Sequence, residues 1–157
     1  MTSFTINGIT AEAQEGQTVL QVAREADIEI PTLCHHEALQ PYGACRLCVV
    51  EVQKGTRTRI VTSCNYPAEN GIAVQTNTER VHAVRRLVVE LLLARCPNVK
   101  VIRELAEEYG LQEPRFKKGN NFCILCGQCV RVCREVVGAE AIGFASRGVN
   151  REVAPPF

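Results

Sequence analysis

The apolar and polar positions of the first residues alternate. Ser3 to Ala13 does so on both sides of Asn7-Gly8, and an Asn-Gly pair between alternating runs predicts a hairpin, because both central residues of such a turn need positive φ. The period then changes. Thr18 with Gln21 three residues on forms a capping-box signature, and Val19, Leu20, Val22, Ala23 and Ala26 predict the apolar face of a short helix, with Pro31 ending any continuation. Val49 to Gln53 and Arg59 to Thr62, joined by a turn at Lys54-Gly55, predict two more strands, and Ile72 to Gln75 a closing one. From a cap at Asn77 or Thr78, the recurrence of Val81, Val84, Val88, Leu91 and Leu92 predicts a long helix through Ala94. Pro97 interrupts it. Val99 to Tyr109 predicts a second helix stopped by Gly110, Ala141 to Ala145 a short strand, and Arg147-Gly148 a turn.

Composition changes this picture little. The chain has 157 residues, 46% hydrophobic and 22% charged, with a net charge of +1, enough to bury one ordinary core or two small ones. Near-neutral charge and few aromatic residues give no basis for a nucleic-acid partner or an anionic membrane surface. The most apolar run, Leu87 to Ala94, is far short of a bilayer span and contains Glu90; it predicts a buried helix and no membrane insertion.

Nine cysteines change it a great deal. They cluster at two-residue intervals and no signal peptide precedes them, a pattern of metal ligation in a reducing, cytoplasmic setting rather than of disulfides. Cys34, Cys45, Cys48 and Cys64 form C-x10-C-x2-C-x15-C, the first three in a loop holding Pro41, Gly43 and Ala44. A [2Fe-2S] cluster needs four thiolates, most of them from one wrapping loop and one from a distant segment. Small side chains at Gly43 and Ala44 would let backbone N–H groups approach the cluster sulfurs. A four-cysteine zinc site normally uses two close pairs, and only Cys45/Cys48 is such a pair. Cys123, Cys126, Cys129 and Cys133 form C-x2-C-x2-C-x3-C, the bacterial ferredoxin run that holds a [4Fe-4S] cubane. In that run the fourth cysteine serves another cluster, and no second run follows here. The fourth ligand is therefore Cys133, Cys96 or a residue outside this chain, and Cys133 is expected to be a ligand of a second cubane completed elsewhere.

LCHHEALQPYGACRLCVVEV with TSC, and FCILCGQCVRVCREVVGAEAIGF, resemble the N-terminal iron-sulfur region of the large iron-sulfur subunit of NADH dehydrogenase (complex I), of iron-only hydrogenases, of the diaphorase small subunit of bidirectional hydrogenases and of NAD-linked formate dehydrogenases. With the element order, the resemblance implies an α+β fold: a β-grasp [2Fe-2S] ferredoxin domain over residues 1–78, a helical linker over 79–118, and a partial bacterial-ferredoxin-like [4Fe-4S] segment over 119–157. It implies an electron-carrying subunit, not an enzyme by itself, working between a flavoprotein that oxidises NAD(P)H and a catalytic redox subunit. The chain departs from the family pattern in two places. Arg134 replaces the usual proline after the fourth cysteine. Ala94-Arg95-Cys96-Pro97 stands where relatives carry a histidine and three cysteines for a further cubane, which is expected to be lost, its space filled by the helix after Val99. Either a small subunit ends at Phe157 or the sequence is part of a longer chain.

Other polar residues carry less. His35 and His36 read as loop residues, since four cysteines already satisfy the cluster, and His82 as a surface histidine. Arg46, between two ligands, is expected to raise the first cluster's potential. Arg115, Lys117, Lys118 and Gly119 read as a solvated connector, with docking onto an acidic partner as the alternative. No phosphate loop or hydrolase triad is present. Two rival functions use the same cysteines: a zinc-stapled interaction module without redox activity, and an iron-sulfur redox sensor. The first needs a basic, aromatic face and the second an effector domain, and the sequence offers neither.

Overall fold

The computed structural model describes residues 1–156. β1 (Thr2–Ile6) and β2 (Ile9–Ala13) form the expected hairpin. Asn7 and Gly8 take φ of 52° and 83° at its turn, and the pairing of Ile6 with Ile9 follows directly. Phe4, Ile6, Ala11 and Ala13 share the buried face, as a period of two requires. α1 (Val19–Glu25) starts at the expected capping box, with Thr18 and Gln21 bonded reciprocally, and lays Val19, Leu20, Val22 and Ala23 on that face. It ends at Ala26, well before Pro31, where Asp27 turns to a φ of 54°.

β3 (Val49–Lys54) and β4 (Arg57–Thr62) make a second hairpin. Its turn is Gly55-Thr56, one residue beyond the expected position, because Gly55 supplies the positive φ. β5 (Ala73–Gln75) enters between the hairpins, parallel to β1 and antiparallel to β3, so the sheet order is β2-β1-β5-β3-β4. The edge strand β4 exposes Arg57, Thr58 and Arg59, charged and polar positions that discourage edge-to-edge pairing.

α2 (Glu79–Arg95) is capped by Thr78 and packs with α3 (Lys100–Glu108) around a second core of Leu47, Val89, Leu93, Ile102, Ala106 and Leu111. The buried face of α2 differs from the expected one. It carries Val81, Arg85, Val89, Glu90, Leu93 and Ala94, while Leu87 and Leu91 are exposed and Val84, Val88 and Leu92 only half-buried. Two charged residues lie on the inner face because each finds a partner. Arg85 donates Nη2 to the carbonyl of Val49 at 2.8 Å. Glu90, 1% exposed, accepts from Arg115 through the backbone N–H and Nε, both at 2.8 Å, and through Nη2 at 2.6 Å. Arg115 is thus a clamp and not part of a free connector, and Lys118 pairs with Glu113.

The Arg115 guanidinium holds the Glu90 carboxyl at about 2, below its ordinary 4.5. A depressed carboxyl pKa contributes stability that is present above the unfolded value and is lost as pH falls through the folded one. Thermal stability is therefore expected to decline from about pH 4.5 towards pH 2, and Glu90→Gln to flatten that decline. Melting curves across this window test it; an unchanged pH dependence in the variant would exclude the clamp as its source.

The remaining chain holds α4 (Gln128–Arg131), which runs on as a π-helical turn over Val132–Val137, and a small hairpin of β6 (Gly143–Ala145) and β7 (Glu152–Ala154) around a 3-10 turn at Gly148–Asn150. β7 is not evident in the sequence. Arg95 fixes this segment to the end of α2, donating Nε to the carbonyl of Cys123 (3.2 Å), Nη1 to that of Val149 (3.2 Å) and Nη2 to that of Arg151 (3.0 Å).

Candidate metal centres

The register of the second hairpin assembles half of the first centre. Val49 pairs with Thr62, so Cys48, just before β3, and Cys64, just after β4, emerge at the same end of the sheet. Ser63 locks this end by donating its N–H (3.1 Å) and its hydroxyl (2.8 Å) to the carbonyl of Cys48. The loop after α1 supplies the other half. There the amides of Cys45, at 3.4 Å, and Ala44 donate to Sγ of Cys34. Gly43 permits this approach: its φ is 67°, and a Cβ built on it would lie 2.7 Å from Nδ2 of Asn65.

Four thiols therefore meet as two pairs. The thiol of Cys34 donates to Cys45, lowering Cys45 to about 5 and raising Cys34. The thiol of Cys64 donates to Cys48, lowering Cys48 to about 7 and raising Cys64. The pairs adjoin, since Cys64 also feels the charges of Cys34 and Cys45. Cys34, Cys48 and Cys64 are buried and Cys45 half-buried. Four thiols in adjoining pairs, with amides directed at Cys34, suit a binuclear iron cluster, which Cys34, Cys45, Cys48 and Cys64 would hold. Among the described residues no three Cys, His, Asp or Glu side chains gather around one point.

Cys123 and Cys126 lie on the loop leading into α4, Cys129 on α4 and Cys133 on the π turn, more open to solvent than the first four. Leu125 and Gly127 adopt φ of 55° and 75°, coiling the backbone through the C-x2-C-x2-C stretch. Gly127 is tightly enclosed: an added Cβ would meet Tyr42 at 3.0 Å and Phe144 at 3.2 Å. Sγ of Cys133 accepts from the amide of Ala141 at 3.2 Å. Cys96 is fully buried, its pKa raised by burial, and its thiol donates to the carbonyl of Cys123 at 3.4 Å. The contact places Cys96 beside the first cysteine of the second run.

Hydrogen bonds from α4 to the first loop are not evident in the sequence, because they link positions more than ninety residues apart. Gln128 donates Nε2 to the carbonyls of Leu33 (3.2 Å) and His35 (3.3 Å). Arg131 donates Nη1 to the carbonyl of Gln40 (2.7 Å) and Nη2 to the carbonyl of Cys34, with its guanidinium 5.0 Å from the centre of the Tyr42 ring. Glu135 accepts from the amide of Gln40 at 2.9 Å. His35 and His36 lie in this loop, and His82 is exposed on α2 beside Tyr109.

Residues 1–79, which hold the paired thiols, match the family described as the 2Fe-2S iron-sulfur cluster binding domain. The chain belongs to that family. Relatives extend the likeness over the rest of the sequence. It is 30% identical over 176 residues to the mitochondrial NADH-ubiquinone oxidoreductase 78 kDa subunit of Candida albicans (strain SC5314 / ATCC MYA-2876), covering 95% of this chain and 24% of that protein. It is 33% identical over 187 residues to the NADP-reducing hydrogenase subunit HndD of Solidesulfovibrio fructosivorans, covering 100% and 32%. A chain in the crystal structure of NAD+-reducing [NiFe]-hydrogenase in the H2-reduced state shares the fold with a TM-score of 0.86 and 32% identity, over 99% of this chain and 75% of that one. The chain spans about a quarter to a third of the length of these two curated relatives. Among the described residues no helix is long and apolar enough to cross a membrane.

Proposed function

We propose that this chain relays single electrons within a cytoplasmic oxidoreductase assembly, between a flavoprotein subunit that oxidises NAD(P)H and a catalytic redox subunit. In this reading Cys34, Cys45, Cys48 and Cys64 hold a [2Fe-2S] cluster on a β-grasp domain of residues 1–78. Residues 79–118 form a helical linker, and Cys123, Cys126 and Cys129 hold a [4Fe-4S] cluster in the segment 119–157. Cys133 serves as its fourth ligand or as a ligand to a further cluster completed outside this sequence. When bound, such clusters supply one-electron chemistry at potentials set by burial, charge and hydrogen bonds to sulfur.

One observation carries the reading: within the second cysteine run, Gln128 bonds to the carbonyls on either side of Cys34 and Arg131 to the carbonyl of Cys34 itself. Electron transfer falls off steeply with distance, so a relay needs its centres docked, and these bonds dock them. The amides on Cys34 favour extra negative charge on sulfur, which assists reduction.

The protein purified without oxygen is expected to accept electrons from a one-electron donor such as reduced methyl viologen and pass them to ferricyanide. With NADH alone and the same acceptor it is expected to give no turnover, and turnover without added flavin or another subunit would show that the chain has an active site of its own. Failure to accept electrons from the viologen would refute the relay.

A further inference from the structure

Arg131, in the second cysteine run, is buried at 6% exposure; among the described residues the other buried arginine is Arg85 of α2, whose bond goes to the carbonyl of Val49, beside Cys48. Among the described residues Arg131 forms no ion pair. Nη1 and Nη2 are spent on the carbonyls of Gln40 and Cys34, Nε has no partner, and one face lies against Tyr42. The carboxylate of Glu135, one turn further on, is directed to the amide of Gln40. Arg46, by contrast, sits between two ligands of the first centre but is exposed, so water screens its charge. A buried charge acts through a lower effective dielectric than an exposed one and is felt more strongly at the same range.

We propose that Arg131, supplied by the second cysteine run, sets the reduction potential of the first centre and makes that potential depend on the docking of the two. The inference rests on the first four cysteines holding a [2Fe-2S] cluster. With such a cluster bound, one electron from a donor such as dithionite would reduce one ferric iron to ferrous and add one negative charge beside Cys34. The added negative charge is stabilised by the guanidinium bound to the carbonyl of the ligand Cys34, which raises the potential. A docked second run thus makes the first centre the better electron acceptor. Arg131 is a positioning residue that acts through Cys34.

The test is a redox titration with dithionite on the anaerobic chain, following the [2Fe-2S] EPR signal and counting iron. R131Q is expected to retain iron and to lower the equilibrium constant for reduction by about tenfold, which is about 59 mV for a one-electron couple. R131K, which keeps the charge but cannot span both carbonyls, is expected to fall between R131Q and the parent. R46Q is expected to shift the potential less than R131Q. An R131Q potential within about threefold of the parent's equilibrium constant, or a larger shift from R46Q, would overturn the proposal alone. Loss of the cluster from both R131Q and R131M would also overturn it, since the residue would then be needed for assembly and not for tuning. A parent protein with no [2Fe-2S] signal would instead overturn the relay reading and this inference with it.

Discussion

Cys64→Ala is expected to abolish the [2Fe-2S] EPR signal and to remove about two of about six irons per chain, leaving the signal of the second run in place. In the proposed reading Cys64 is the distant ligand, sixteen residues beyond Cys48. It reaches the other three only through the antiparallel register of β3 and β4, fixed at this end by Ser63 on the carbonyl of Cys48. Loss of its thiol leaves the Cys48 pair with a single donor, and Cys96 is turned onto the carbonyl of Cys123. Cys96→Ala is the matching control and is expected to retain all iron. A Cys64→Ala protein with an unaltered [2Fe-2S] signal would mean that the distant ligand lies elsewhere.

Leu47→Ala should cost about 2–5 kcal/mol of stability, the range for truncating a fully buried leucine. Leu47 is completely buried and lies inside the C-x2-C loop, between Cys45 and Cys48, yet it packs with Val89, Leu93, Ile102, Ala106 and Leu111 and not with the sheet core. It pins the ligand loop to the α2–α3 layer. Its truncation is therefore expected to act twice, lowering the denaturation midpoint and loosening cluster retention, so that iron is lost to a chelator faster than from the parent. Chemical denaturation with parallel iron-release measurements separates the two effects. A variant with lowered stability and parental iron release would show that the loop holds its shape without the helices.

What the sequence makes legible is local. Asn7-Gly8 and the Thr18–Gln21 box each specify a backbone conformation within a few residues, and both appear in the structure as expected. The order of the elements follows from their changing periods, and the spacing of Cys34, Cys45, Cys48 and Cys64 indicates a wrapped centre because a loop of small residues leads into a strand. The inner face of α2 is harder to read, because apolar periodicity treats Arg85 and Glu90 as outward residues. Their burial depends on a carbonyl of β3 and on Arg115, far along the chain. Arg131 is hidden for the same reason: it looks like a surface arginine between two cysteines until the fold brings the carbonyl of Cys34 to it. The segment that ends in β7 depends on packing against the end of α2 through Arg95, which no short pattern encodes.

In the proposed reading the paired thiols of Cys34/Cys45 and Cys48/Cys64 hold one binuclear iron cluster. Metal and sulfide analysis tests it most directly, on the full chain purified without oxygen with Cys123, Cys126, Cys129 and Cys133 all replaced by alanine. The account predicts a coloured protein with about two irons and two acid-labile sulfides per chain and a [2Fe-2S] EPR signal on reduction. A colourless protein carrying about one zinc and no labile sulfide would contradict it.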